Sequence, residues 1–290
     1  MTPFSINIKG RLVEFTEPVV MGILNVTPDS FHAASRIAGE DELISIAKQM
    51  LDDGADIIDV GGCSTRPGAD YASESEELNR VINAITALRR EFPEAIISVD
   101  TFRARVAREA VAAGADIIND ISGMSLDEEM FNAVCQLNVP YILTDCNELC
   151  SVDVDATAAC VIKNIQQNLR RLVLAGVNDI IVDPGFGFGK TIEQNYALMA
   201  NLDLFSCLNR PVLVGISRKS MITKLLEIDQ DEALEATTAL NIHALRSGAS
   251  ILRVHDVKAA KQTIKINSKL ESINKLGGTM TILTNDNRLI

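Results

Sequence analysis

Eight short apolar runs in this sequence each lead into a residue that can donate, accept or carry charge. In chain order these are Asn25, Asp59, Asp100, Asn119 with Asp120, Thr144 with Asp145, Asp183, Ser217 with Arg218 and Lys219, and Arg253 with His255. Helix capping accounts for any single Asp, Asn, Ser or Thr at such a place, because these residues are preferred at N-caps. It does not account for eight out of eight with Lys and Arg among them. Asp100, Asn119, Asp183 and Lys219 suit a flat, nitrogen-rich heterocycle: carboxylates accept from ring amino and N–H groups while an ammonium donates to a carbonyl or ring nitrogen. Buried charged hydrogen bonds of this kind are worth about 1.5–3 kcal/mol each, and the wrong ring leaves them unmade. Arg66, Arg253 and His255 can gather an anion, most simply phosphate or pyrophosphate. Asn25 is an oxygen donor suited to Mg²⁺ held mostly by phosphate oxygens and water.

The segment Val182-Asp183-Pro184-Gly185-Phe186-Gly187-Phe188-Gly189-Lys190-Thr191 nearly spells a nucleotide phosphate loop. The pattern G-x-x-x-x-G-K-[ST] needs glycine where Pro184 stands, so that reading fails by one residue. An acid at a strand end followed by alternating glycines and phenylalanines then needs another use, and Asp183 suits the nitrogens of a flat ring.

The elements that position these residues are legible as a repeat. Apolar runs rich in Val and Ile at 19–24, 57–60, 96–99, 117–118, 141–143, 180–182, 212–216 and 251–254 alternate with helical-period segments. The helical segments are 42–53, 74–92, 103–113, 127–137, 156–175, 192–208, 231–247 and 258–274. The even runs are entered through Gly54, Gly114, Gly176 and Gly248, where a left-handed C-cap is wanted. The odd runs are entered through Pro18, Pro93, Pro140 and Pro211, which stop a helix and start an extended segment. This period-two repeat fits a closed barrel, whose interior layers are filled by alternate strands. The expected fold is α/β, a single (β/α)8 TIM barrel of eight parallel strands over residues 1–275, with the functional site at the C-terminal strand ends. A hairpin is expected to cover its base, and a tail at 276–290 carries no functional reading.

Composition narrows the partners. The chain has 290 residues, 47% hydrophobic and 23% charged, enough for one large core. A net charge of −12 and a pI near 4.8 exclude a broad basic surface for nucleic acid, so an anionic substrate needs a local cationic pocket. The segment around Met1 to Lys9 lacks the basic and apolar regions of a signal peptide, and no apolar run has the roughly 18 residues of a membrane span. A cytoplasmic protein with reduced thiols is expected. Cys146, Cys150 and Cys160 lack the closer pairs or nearby His of metal motifs and read as small packing residues. The long segments after the first two runs, from Asn25 to about Gly39 and from Gly61 to about Tyr71, read as binding loops.

Two of these segments carry a resemblance. Met21-Gly22-Ile23-Leu24-Asn25-Val26-Thr27-Pro28-Asp29-Ser30-Phe31 and Asp59-Val60-Gly61-Gly62-Cys63-Ser64-Thr65-Arg66-Pro67-Gly68 resemble the two signature segments of the dihydropteroate synthase family. Ser98-Val99-Asp100-Thr101, Ile118-Asn119-Asp120, the Asp183 to Lys190 stretch, Ser217-Arg218-Lys219-Ser220 and Arg253-Val254-His255-Asp256 extend the match in order across nearly the whole barrel.

The resemblance implies condensation of 4-aminobenzoate with 6-hydroxymethyl-7,8-dihydropterin diphosphate, giving 7,8-dihydropteroate and pyrophosphate for folate synthesis, in a homodimeric, Mg²⁺-using sulfonamide target. By motif position, Asp100, Asn119, Asp183 and Lys219 would hold the pterin, and Asn25 the Mg²⁺ on the pyrophosphate. Arg253 and His255, with Arg66 close by, would bind the anion; Phe31, Thr65, Pro67, Phe188 and Ser220 would shape the aminobenzoate pocket. Lys219, Arg253 and His255 thereby enter the catalytic set, with Asp29 to stabilise a pterin cation. The chain departs from the family where Ser-Asp-Gly-Gly usually follows the first loop's Ser-Phe, having His32-Ala33-Ala34-Ser35. It departs again where a Met-His-Met segment is usual, having Thr144-Asp145-Cys146, and in Cys63, where many relatives have Glu. A methyltetrahydrofolate-dependent methyltransferase and a non-catalytic pterin-binding paralogue are the other readings; the first has no evident use for Arg253 and His255 as an anion site.

Overall fold

Residues two apart along the strands belong to the same core, and neighbours belong to different ones. The computed structural model describes residues 3–26, 36–63, 72–149 and 153–276. Its first strands, β1 (Phe4–Ile8) and β2 (Arg11–Phe15), form the expected antiparallel hairpin, turned by Lys9 and Gly10, both with positive φ. The barrel strands are β3 (Val19–Asn25), β4 (Ile57–Gly61), β5 (Ile96–Asp100), β6 (Ile117–Asp120), β7 (Tyr141–Thr144), β8 (Ile180–Asp183), β9 (Leu213–Val214) and β10 (Ile251–Val254). They pair in parallel in the order β8-β7-β6-β5-β4-β3-β10-β9, and a parallel bridge from Val182 to Val212 closes the ring.

Val19, Met21, Ile57, Ile117, Ile142, Ile181, Leu213 and Ile251 point inwards at the base, where Ile6 and Ile8 of the hairpin pack beneath them. Their sequence neighbours Val20, Ile58, Ile118, Tyr141, Ile180, Val182, Val214 and Leu252 point outwards into a larger core under the helices. Those helices are α1 (Arg36–Asp52), α2 (Glu74–Glu91), α3 (Ala104–Ala113), α4 (Met130–Leu137), α5 (Thr157–Leu174), α6 (Ile192–Ala200), α7 (Ser220–Leu226), α8 (Leu234–Arg246) and α9 (Val257–Leu276). The last described helix, α9, ends at Leu276.

The period-two repeat has a physical basis at the barrel base. Gly54, Gly114, Gly176 and Gly248 all have φ between 90 and 120°, as the C-cap reading requires. The acid that follows then serves the preceding strand: Asp56 Oδ2 accepts from Val20 N–H (2.8 Å), and Asp116 Oδ2 from Ile97 N–H (2.9 Å). Proline costs the odd strands a donor, but the carbonyls of Pro140 and Pro211 still accept from Ile118 (3.0 Å) and Val182 (2.9 Å).

Three elements differ from expectation. The helix expected over 192–208 breaks after α6 into a 3₁₀ segment, Leu202–Leu208, whose buried Leu202, Phe205 and Leu208 recur every three residues, the 3₁₀ period. The run expected over 212–216 is a strand only at Leu213–Val214, because Ile216 O already accepts from Lys219 N–H in a turn. Helix α7 was not anticipated; its seven residues are too few to show a period.

Candidate active site

The inward alternation carries straight from the apolar base to a polar mouth. Two residues beyond inward Ile57 stands Asp59; beyond Ile96 stand Ser98 and Asp100; beyond Ile117, Asn119; beyond Ile142, Thr144; beyond Ile181, Asp183; beyond Ile251, Arg253. Strand register sets Asn25, Gly61, Asp100 and Asn119 side by side across β3 to β6. The same parity turns Asp120 outwards. It accepts from Ser122 N–H and Oγ–H, Met124 N–H and Tyr141 O–H at 2.7–2.8 Å, holding the loop after β6.

At the centre one guanidinium serves two buried carboxylates. Arg253 donates from Nε to Asp59 Oδ2 at 2.6 Å and from Nη2 to Asp100 Oδ2 at 2.5 Å, and Asn119 Nδ2 also donates to Asp59 Oδ2, at 3.0 Å. Burial, partly offset by Arg253 and reinforced by the charge of Asp59, pushes Asp100 up to about 7. Burial works against the Arg253 charge, but Asp59 and Asp100 more than compensate and hold its pKa above the ordinary arginine range. Among the described residues Asp59 Oδ1, Ser98 Oγ, Asp100 Oδ1 and Thr144 Oγ1 are buried without a hydrogen-bond partner. The mouth is therefore rich in acceptors suited to the N–H groups of a ring.

Asp183 and Lys219 face this cluster from the other side. Asp183 Oδ1 accepts from Gly185 N–H at 2.8 Å, and burial raises its pKa against the pull of Lys219. Lys219 Nζ donates to Phe186 O and lies 4.6 Å from the centroid of the Phe188 ring. Burial, opposed by Asp183, brings its pKa down to about 8. Gly185, at φ +73°, tolerates no side chain, since a Cβ would lie 1.8 Å from Asp145 O.

Beside them, Ser217 Oγ lies 3.0 Å from His255 Nδ1 and accepts from His255 N–H at 3.3 Å. Arg218, itself at φ +58°, grips Asp256 through Nε (3.1 Å) and Nη2 (2.7 Å), tying the loop after β9 to the loop after β10. Ser220 is exposed at the first turn of α7. Asn25 is exposed on the rim; a Cβ on Gly61 would lie 3.5 Å from its Oδ1 and 3.7 Å from Asp100 Oδ2, so the two oxygens flank that glycine. Asp100 Oδ2 is taken by Arg253, so the exposed Asn25 amide oxygen is the donor that fits Mg²⁺ held chiefly by substrate oxygens and water.

The structure thus brings Asn25, Asp100, Asn119, Asp183, Phe188, Lys219, Ser220, Arg253 and His255 to one end of the barrel. Asp29, Phe31, Thr65, Arg66 and Pro67 lie outside the described residues. Two residues exceed the sequence reading. Asp59 is the hub that Arg253 and Asn119 share, a role signalled by its place two beyond an inward isoleucine. Asp145 does not face the mouth but pairs with Lys190 (3.2 Å), both side chains buried. Cys146 turns its sulfur to Ser122 O (3.1 Å) and Ser125 Oγ (3.3 Å), and Cys135, Cys146, Cys160 and Cys207 are free thiols.

Comparison with known proteins bears on the family and the fold. Residues 21–255 match the family described as pterin binding enzyme. The chain is 43% identical over 250 residues to the dihydropteroate synthase of Bacillus subtilis (strain 168), covering 86% of this chain and 87% of that one. It is 36% identical to the Yersinia pestis dihydropteroate synthase solved with a sulfonamide drug, with a TM-score of 0.84 over 93% of this chain and 100% of the other. It is 34% identical to the Xanthomonas albilineans dihydropteroate synthase solved with 4-aminobenzoic acid, with a TM-score of 0.85 over 93% and 99%. The Clostridium difficile dihydropteroate synthase solved in the presence of pteroic acid is 36% identical, with a TM-score of 0.82 over 88% and 97%.

The raised Asp100 makes a stability prediction. Its folded pKa of about 7 exceeds the ordinary 3.8, so the folded state favours the protonated acid. That contribution is full below pH 3.8 and is lost as pH rises through about 7. Asp100→Asn, always neutral, should therefore gain melting temperature relative to the unsubstituted protein between pH 5 and pH 8. The same offset at both pH values would contradict the burial of an uncompensated charge.

Proposed function

Because the chain belongs to the dihydropteroate synthase family of pterin binding enzymes, we propose a substrate role for each group at the mouth. The reaction, a transferase step of folate biosynthesis, joins 6-hydroxymethyl-7,8-dihydropterin diphosphate to 4-aminobenzoate and gives 7,8-dihydropteroate and pyrophosphate. One observation carries the assignment: Asp100, Asn119, Asp183 and Lys219 converge on one mouth with buried acceptor oxygens among them. Asp100, Asn119 and Asp183 accept from or donate to the pterin ring edge, and Lys219 donates to its carbonyl or ring nitrogen. The aminobenzoate lies against Phe188 and Ser220, with Phe31, Thr65 and Pro67 completing its pocket from the two loops. Ligands named for relatives, pteroic acid and 4-aminobenzoic acid, have the chemistry of the product and of one substrate.

The chemistry asks little covalent work of the protein. The C–O bond to the diphosphate breaks, the leaving pyrophosphate takes the electron pair, and the carbon left behind is a cation delocalised into the pterin. The neutral aryl amine attacks, the C–N bond forms, and the nitrogen gives up a proton to pyrophosphate or water. Alignment and charge stabilisation supply the rate. His255 and Arg66 hold the anion. Arg253 shares that role through Nη1, since Nε and Nη2 are committed to Asp59 and Asp100. Asp29 stabilises the cation. Asn25 would hold Mg²⁺, which when bound neutralises diphosphate charge.

Pyrophosphate release on adding both substrates with Mg²⁺ tests the reading. Asp183→Asn should raise the pterin Kd at least tenfold in a protein that melts cooperatively; unchanged turnover would refute its role. A lysine that donates must be protonated, so kcat/KM for the pterin diphosphate should fall as pH rises through about 8, the Lys219 value. Lys219→Arg should abolish that alkaline limb between pH 7 and 10, and a limb that survives belongs to another group.

A homodimer through the late helices is consistent with exposed Leu225 and Leu226 on α7, and Ile266, Leu270 and Ile273 along α9. Sedimentation equilibrium should return twice the 31.4 kDa chain mass. Among the described residues no helix is long and apolar enough to cross a membrane. A reducing cytoplasm suits the free thiols, and cell fractionation would check it.

A further inference from the structure

The lysine of the near-miss phosphate loop turns its ammonium into the protein. Lys190 Nζ lies 3.0 Å from Asp145 O, 3.2 Å from Asp145 Oδ2, 3.1 Å from Gly185 O and 3.1 Å from Phe188 O. Its side chain is fully buried. Three peptide carbonyls and a carboxylate thus converge on one cation with three protons to give.

Each contact leads to a group that faces the mouth. Gly185 is fixed on both sides: its N–H donates to Asp183 Oδ1, and its carbonyl is held by Lys190. Phe188 is held in the same way, its N–H donating to Gly185 O at 3.2 Å and its carbonyl accepting from Lys190. Asp145 is itself anchored, its N–H donating to Asp183 O (3.1 Å) and its Oδ1 accepting from Asn147 Nδ2 (2.6 Å) and Asn164 Nδ2 (3.2 Å). The loops after β7 and β8 interlock so closely that a Cβ on Gly189 would lie 2.6 Å from Asn147 O.

We propose that Lys190 and Asp145 form a positioning pair that sets the Asp183 carboxylate and the Phe188 ring against the two substrates. This rests on the roles given above to Asp183 and Phe188. Neither member touches substrate; the pair acts through the peptide groups of Gly185 and Phe188. It also acts through charge, because the Lys190 ammonium helps to lower the pKa of Lys219.

The test compares Lys190→Met with the unsubstituted protein in one pyrophosphate-release assay, after cooperative melting establishes that the variant folds. KM for the pterin diphosphate and for 4-aminobenzoate should both rise at least fivefold, since both walls hang on one ammonium. The alkaline limb assigned to Lys219 should move to higher pH, because a neighbouring positive charge has gone. A folded variant with both KM values within twofold of the parent overturns the proposal. So does a rise in KM with an unmoved limb, which a merely structural lysine would produce. If Lys190→Met does not fold, Asp145→Asn decides, since it keeps an oxygen acceptor and removes the counter-charge. Both KM values should rise at least threefold with kcat little changed, and unchanged KM values overturn the pairing. An unsubstituted protein that releases no pyrophosphate would instead count against the roles of Asp183 and Phe188.

Discussion

Two carboxylates share one guanidinium inside a barrel, and much of the structure follows from that arrangement. Asp59 and Asp100 each meet Arg253, so with both acids ionised the trio carries one excess negative charge at a depth where a charge is costly. Removing one partner of a buried pair typically costs about 3–5 kcal/mol, so the trio is a liability that the rest of the fold must hold in place. What such a cluster offers is acceptors in fixed directions. A ring that presents N–H groups can meet them without reorganisation, and a ring that lacks those groups leaves them unmade. The selectivity and the strain of the site therefore have the same source.

The fold carries that strain through polar stitching at both ends of the strands. At the base, Asp116 takes Ile97 N–H and also pairs with Lys9 and Arg89, so the hairpin is bound electrostatically as well as through Ile6 and Ile8. At the top, charged groups that are buried or half-buried brace several of the described loops. Arg103 joins buried Glu77 and donates to Ala72 O (2.7 Å); Asp120 braces the loop after β6; Arg218 spans to Asp256. These ties run sideways around the mouth, whereas Asp59, Asp100, Asn119 and Asp183 follow the inward parity of their strands.

The strand ends were legible in the sequence because apolar runs between glycine and proline signals mark them, and the hairpin was legible for the same reason. Which of two adjacent polar residues faces the axis was not visible from residue type: Asn119 and Asp120 are equally polar, and only strand parity separates them. Asp59 was seen as a strand-end acid but not as the hub, since its partners lie 60 and 194 residues away. Helix α7 was missed because seven residues give no period, and the 3₁₀ break after α6 because a spacing of three resembles a helical one over short lengths.

Lys190 shows why a motif cannot be read apart from the direction of its side chain. In a phosphate loop the glycines turn backbone N–H groups towards an anion and the lysine follows them. Here, with proline in place of the first glycine, carbonyls of the same stretch converge, and an ammonium satisfies carbonyls as readily as phosphate. The lysine is thus withdrawn from solvent to close the inner side of the loop, and its charge is balanced by Asp145 rather than by a ligand. Under the proposed function the anion is met by His255, Arg66 and Arg253 instead. Arg253 can share in that role through its third nitrogen, since Nε and Nη2 meet Asp59 and Asp100, while Lys219 is held by Phe186 O and lies against Phe188.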